Sequence, residues 1–347
     1  MGKLEIKGFT GMDNITGGLI KENILIPQFV INALPSSTLR LTRREGSVNK
    51  ITLANSHSMW SGSIILCVAD SVLYQLDLVA ESSTSLGSVE GKDEKMYYVE
   101  IGNVIYLSNK YWCSALENST LRTWGQSVID EEAKTWLKHE NGSEFFERGS
   151  SFSGPGFTPR SSEFLHAAKP MNYITEAFGR IWGAIGSKLV YSDPATPEWF
   201  QNDINVFDFT SEIKMIAKDK ASLYIGFDNK TAIMTSGSAY DSAIHPDKMD
   251  IRYVNKGVIE HTMQYCDFSG ELGYNIPTWL SPSGVMIGSD GSIIDISGGK
   301  VKYDIDTPIG SGFYMYKGEP LYIATMLHKE DRVVADEATH NWIIKNI

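Results

Sequence analysis

One pattern recurs six times along this chain: a run of β-branched and aromatic residues, a tight turn carrying Gly, Asp or Asn, and a second such run. It occupies Ile64–Asp77, Met96–Asn109, Arg180–Asp193, Ser222–Thr235, Gly284–Ser297 and Phe313–Thr325. Two β-prone arms joined by residues that tolerate positive φ are what an antiparallel hairpin demands. A chain that encodes this many hairpins is committed to antiparallel sheets and has little sequence left for helices.

The turns, taken at Asp70, Gly102, Gly186, Asp228, Asp290 and Gly318, stand 32, 84, 42, 62 and 28 residues apart. Because 84 is twice 42, a unit is either hidden or expanded between the second and third hairpins. A period of about 40 with one hairpin per unit predicts an all-β chain folded as a β-propeller, whose four-stranded blades take roughly 40–50 residues each. A chain of this length then holds about six or seven blades. The alternative is a pair of β-sandwich domains, which supplies similar strands but gives no reason for one hairpin to recur so often.

Two regions depart from this texture. Ser127–Lys138 reads as a helix: Ser127 caps it, Asp130 takes the capping-box position, and Val128, Ile129, Ala133, Trp136 and Leu137 form one apolar stripe, with Gly142 just beyond its end. Asn141–Arg160 follows as a long exposed loop, with the Gly/Ser/Pro-rich run GSSFSGPGFTP at Gly149–Pro159. The helix and loop form an insertion around residues 125–165. Residues 1–50 are irregular and contain one alternating stretch with a basic face, Leu39–Gly46. The expected organisation is an N-terminal segment, 1–50, that closes the ring, and a propeller body, 51–347. Within the insertion, Phe152 and Phe157 lack internal partners, and leaving each bare forgoes roughly 1.5–3 kcal/mol of burial. They are therefore expected, with Arg160 and Trp136, to meet a neighbouring subunit. The competing expectation is that the loop folds back on its own blade.

Lys and Arg number 31 against 42 Asp and Glu, a net charge of −11. That balance argues against a nucleic-acid coat or an anionic-membrane binder, both of which need a basic face. No apolar run approaches the ~20 residues of a membrane-spanning helix. Residues Met1–Gly8 carry charges every two or three positions and no apolar core, so they do not read as a signal peptide, and synthesis in the cytoplasm is expected. Cys67, Cys113 and Cys266 are far apart, cannot pair evenly and show no CxxC spacing. They read as buried free thiols, with a reactive thiol as the lesser option.

A search for catalytic patterns returns no enzyme. No two of the seven histidines stand at i, i+3 or i, i+4, so no helical zinc motif is present. The densest set of possible ligands, Asp241–Asp250 (DSAIHPDKMD), reads as a polar connection. Asp228–Lys230 and Ser289–Gly291 look like calcium-loop fragments but fall where hairpins turn. There is no GxSxG, no Walker loop and no GxGxxG after a strand. Asp130, Glu131 and Glu132 lie on the solvent side of the predicted helix. Ser289–Ser292 partly matches the aspartate box of sialidases, without an arginine cluster to accompany it. No metal or cofactor is expected. The eight tryptophans are expected mostly to fill space between sheets, with sugar stacking as the alternative.

The central segment Glu176–Phe200 (EAFGRIWGAIGSKLVYSDPATPEWF) resembles a recurring stretch of tailed-bacteriophage structural proteins, in which a GRIW-type hairpin ending in Tyr-Ser-Asp/Glu precedes a Pro-rich turn and a Trp. Phe9–Asn14 (FTGMDN) with Leu41–Gly46 (LTRREG) is similar to the opening of such proteins. Thr123–Gly125 (TWG) and Trp279–Gly288 (WLSPSGVMIG) fit later landmarks. The chain departs from the pattern where the predicted helix Ser127–Lys138 replaces a Pro-rich linker. The resemblance implies a virion structural protein with a propeller body, made in the host cytoplasm. It would be built into the tail as a nozzle, hub or baseplate component, or into the head-to-tail junction. Its partners would be other tail proteins and copies of itself in a ring. The second function class is a propeller binding module that holds a tail fibre or recognises a host-surface glycan.

Overall fold

The computed structural model describes residues 50–125, 168–193, 196–200, 205–235, 246–268 and 273–297, together with strands nearer the two ends of the chain. The N-terminal strands are β1 (Gly8–Phe9), β2 (Leu19–Lys21), β3 (Ile24–Ile26), β4 (Ala33–Pro35) and β5 (Leu41–Arg43). They pair among themselves, in the order β1-β3-β2 and as the hairpin β4-β5.

Sheets then follow one another along the chain. The first comprises β6 (Ser56–Ser61), β7 (Ile65–Ala69), β8 (Val72–Asp77) and β9 (Ser82–Ser88). The second holds β10 (Tyr97–Ile101), β11 (Val104–Ser108), β12 (Cys113–Glu117) and β13 (Thr120–Arg122). The third holds β14 (Asn172–Ala177), β15 (Arg180–Ile185), β16 (Lys188–Asp193), β17 (Thr196–Phe200) and β18 (Val206–Asp208). The fourth holds β19 (Met215–Lys218), β20 (Ser222–Gly226), β21 (Thr231–Thr235) and β22 (Asp250–Val254). The fifth is β23 (Gln264–Phe268), β24 (Gly273–Ser281), β25 (Gly284–Ser289) and β26 (Ser292–Asp295). The sixth is β27 (Thr307–Tyr316), β28 (Glu319–Leu327) and β29 (Asn341–Asn346).

In each of these sheets strands adjacent in sequence are adjacent in space and antiparallel, except that β16 pairs with both β17 and β18. Among the described residues the only helical element is one 3-10 turn, Pro246–Lys248. The chain is thus all-β, a succession of antiparallel meanders with the blade topology of a propeller. It divides into two compact units, Asn49–Ile216 and Met1–Val48 with Ala217–Ile347.

All six expected hairpins form, but at different places in their sheets. Those turning at Asp70, Gly186 and Asp228 join second to third strands, the one at Gly102 and the pair β27–β28 join first to second, and that at Asp290 joins third to fourth. This accounts for much of the unequal spacing. The turn chemistry is local: Asp70–Ser71, Asn118–Ser119 and Asp290–Gly291 have positive φ at both residues, the two-residue hairpin geometry that suits strand twist. The predicted helix Ser127–Lys138 and loop Asn141–Arg160 lie outside the described residues.

The second sheet shows how the core is built. Its strands alternate, sending Ile105, Leu107 and Leu116, with Met96 just before β10, to one side and Val99, Tyr106 and Ala115 to the other. The first set packs with Leu66, Val68 and Leu73 of the first sheet, the second with Ile174, Ile181 and Val190 of the third. Buried on both faces, its strands read as nearly continuous apolar runs.

Candidate functional site

The most elaborate polar arrangement among the described residues lies in the unit Asn49–Ile216. After β16 the chain does not go directly to β18. It makes the extra strand β17, which pairs with β16 only near Ser192 and Asp193. This excursion carries Glu198 onto the second sheet. One carboxylate oxygen, Oε1, accepts from Tyr106 Oη at 2.8 Å and Arg122 Nη2 at 2.7 Å. The other, Oε2, accepts from Arg122 Nη1 at 3.1 Å and the Gly125 amide at 2.8 Å. Arg122 Nε donates to Glu117 at 2.9 Å, and Trp124 Nε1 donates to the Pro197 carbonyl at 2.8 Å. Trp124 is fully buried between the rings of Tyr106 and Phe200, at centroid distances of 5.0 and 5.8 Å.

The side chains of Arg122 and Glu198 are only 8% and 15% exposed. Burial disfavours the Arg122 charge, but hydrogen bonds and charges from Glu198 and Glu117 outweigh it and hold the pKa above its usual value. Burial, and then the Glu198 carboxylate, push the Tyr106 phenol well above its usual range. A carboxylate has about four acceptor positions, and Glu198 fills four with protein donors. It has no capacity left for a substrate proton or a metal, so the arrangement acts as a clamp that straps the third sheet to the second.

A second clamp stands in the other unit. Asp219 precedes β20 and accepts the amides of Ala221 and Ser222 through Oδ1, at 3.0 and 2.8 Å. Its Oδ2 accepts from Tyr224 Oη at 2.6 Å and from the Gly291 amide at 3.0 Å, in the β25–β26 turn of the next sheet. Burial, followed by Asp219, raises the Tyr224 pKa above its usual range.

The expected interface residues Trp136, Phe152, Phe157 and Arg160 lie outside the described residues, as do Asp241–His245 and Glu131 and Glu132. Asp228–Lys230 and Asp290–Gly291 are hairpin turns. Among the described residues no group of three or more His, Cys, Asp or Glu is placed to hold a metal ion. Cys67 and Cys266 are buried and Cys113 half-buried. Burial raises all three thiols, Cys113 to about 11 and Cys266 to about 12, which disfavours the reactive thiolate. Trp124, Trp182 and Trp279 are fully buried and fill the core.

Sequence reading missed both clamps. Thr123–Gly125 and Glu176–Phe200 stand out separately, but nothing in either predicts their meeting. The available signal was a charge beside each Trp: Arg122 two residues before Trp124, and Glu198 immediately before Trp199.

No protein-family model matches the chain, and no curated protein matches it in sequence. Solved structures similar to it include BBS1N in complex with ARL6DN, at 9% identity and TM-score 0.44, covering 77% of this chain and 73% of that one. The N-terminal domain of Nup159 is similar at 12% identity and TM-score 0.44, with 77% and 71% covered. KlHsv2 with a replaced loop is similar at 8% and 0.41, with 88% of each chain covered. At these values the assignment of blade topology rests on the sheets themselves.

Proposed function

We propose that this chain is a structural component of a bacteriophage tail, assembling as a rigid β-propeller body with copies of itself and with other tail proteins. The observation that carries this reading is the Glu198 strap. Two segments that resemble landmarks of tailed-phage structural proteins, Thr123–Gly125 and Glu176–Phe200, stand 73 residues apart at the Trp124–Pro197 bond and are joined by a buried, saturated clamp. Landmarks of a structural protein are expected where its sheets are tied together, and a carboxylate that accepts two bonds from Arg122, one from Tyr106 and one from Gly125 resists shear between sheets. A meander scaffold also offers loop ends and outer strands for assembly.

The test is direct. The chain is tagged at its C-terminus, infected-cell particles are purified, and the tag is located by gold labelling in electron micrographs. Label on the tail or at the head-to-tail junction supports the reading. Particles devoid of the chain overturn it. Deleting Ser150–Pro159 then probes the loop as a subunit contact: assembly should fail while the melting temperature of the isolated chain stays unchanged, and normal particles would mean that the loop is a passive connection.

A further inference from the structure

The outer strand of the fourth sheet carries two large apolar residues on one exposed face. Burial falls away across that sheet: β20 is buried throughout, β21 at four of its five positions, and β22 is exposed at its first four residues. Two of those four are large and apolar, Ile251 at 39% and Tyr253 at 52% exposure. Standing two apart in a strand, they project from the same face. β22 pairs with β21, and among the described residues no strand takes up the backbone donors and acceptors of its other edge. Natural proteins blunt or cover edges of this kind, because they template pairing with another chain. β26 exposes a single large apolar residue, Ile294 at 43%, and two further outer strands are blunted. β9 is SSTSLGS and carries no large exposed apolar residue, and β13 is three residues long with its Arg122 held in the clamp.

We propose that β22 pairs antiparallel with β22 of a second copy of this chain, about a two-fold axis passing through Ile251. The strand is complementary to itself in this register. Asp250 of each copy stands opposite Arg252 of the other, Ile251 stands opposite its own counterpart, and Tyr253 lies diagonally across from Ile251. Opposite charges and apolar pairs directly across a ladder stabilise it, whereas like charges so placed destabilise it. The neighbouring symmetric register, centred on Arg252, sets two arginines against each other. Arg252 already donates to the Gly291 carbonyl within its own chain, and a guanidinium keeps further donors for a second partner. Lys230 Nζ stands 4.5 Å from the Tyr253 ring centroid, so one side of this ring is covered by a cation from the same sheet. The contact is isologous, so it closes at two copies rather than extending into a filament. It stands independently of the tail reading, since it concerns the isolated chain.

Cysteine cross-linking reads the register. In the full chain, Ile251→Cys places two thiols across the axis within disulfide reach. Mild oxidation should give a covalent dimer on a non-reducing gel, while Arg252→Cys and the parent chain, with its native cysteines, should not. Failure of Ile251→Cys to cross-link, or cross-linking of Arg252→Cys in its place, overturns the proposal. Sedimentation equilibrium supplies the second readout. Asp250→Arg should weaken association by roughly tenfold, since two symmetry-related pairs change sign. The double variant Asp250→Arg, Arg252→Asp should restore it to within about threefold. Association unchanged in Asp250→Arg, or a parent chain that stays monomeric at ~100 μM, also overturns it.

Discussion

The two clamps use the same device with different electrostatics. In each, one carboxylate accepts four hydrogen bonds, one of them from a buried tyrosine, and joins neighbouring sheets. Glu198 faces a guanidinium in a bidentate fork. Asp219 is held by three backbone amides and a phenol. The Asp219 clamp starts from a local turn, because Ala221 and Ser222 are two and three residues away, and only Gly291 is distant. The Glu198 clamp has no local part: its partners are 73 to 92 residues away in sequence. A clamp anchored in a turn survives partial loss. One assembled wholly from distant parts loses its bidentate ion pair and the tie between sheets together when it breaks.

The largest expected effect follows from that difference. Glu198→Ala takes the bidentate carboxylate from the largely buried Arg122, which keeps Glu117, and removes the acceptor of Tyr106 and Gly125. Removing one member of a buried ion pair typically costs ~3–5 kcal/mol. Urea denaturation should show a loss in this range with an unchanged slope. Asp219→Ala should cost less, about 1–3 kcal/mol, since it strands hydrogen-bond donors but no charge. If Asp219→Ala proves as damaging as Glu198→Ala, charge pairing is not what separates the two.

The contrast between local and distant parts also marks what could be read from the sequence. The hairpins were legible because their information is local: short runs of β-branched and aromatic residues in β7, β11, β16 and β21, and turn residues such as Asp70 or Asp290 between the arms. The outer strands were not. β9 (SSTSLGS) is polar and reads as a loop, while β13 and β18 are three residues each, too short to show a period. That is why the place of each hairpin within its sheet escaped notice. The extra strand β17 escaped as well, since its TPEWF reads as a Pro-rich turn, and Glu198 finds its partners only once two sheets are stacked. Asp219 was hidden for the opposite reason: an Asp before a strand looks like any turn residue.

Alkaline titration sharpens the comparison through the tyrosines. Tyr106 and Tyr224 have folded pKa values raised above the ordinary value of 10.0, first by burial and then by their carboxylates. A raised value means that both contribute fully below pH 10 and lose that contribution as the pH climbs through the range where only the unfolded chain ionises. Each should add a slope of about −1.4 kcal/mol per pH unit to stability above pH 10. Tyr106→Phe and Tyr224→Phe should each flatten the measured slope by that amount. A variant that keeps the parental slope would show that its phenol ionises in the folded protein too.

The smallest effect isolates the one distant donor of the Asp219 clamp. Gly291 has φ +68°, and a Cβ built on it would lie 3.1 Å from Ser222 Oγ and 3.2 Å from Thr235 Cγ2. Gly102 has nearly the same backbone, φ +61°, with nothing within 4 Å of the same point. Alanine at either position suffers the left-handed strain, roughly 1–2 kcal/mol. At Gly291 the new methyl must also push the turn away from the fourth sheet, and the amide that it would move is the one bound to Asp219. Gly291→Ala should therefore be about 1 kcal/mol more destabilising than Gly102→Ala, the worth of one such hydrogen bond. In the background of Asp219→Ala this excess should shrink toward zero, because the amide has lost its acceptor. An excess that persists in the double variant would assign the penalty to the contact with Ser222 and Thr235, leaving Asp219 a purely local turn residue.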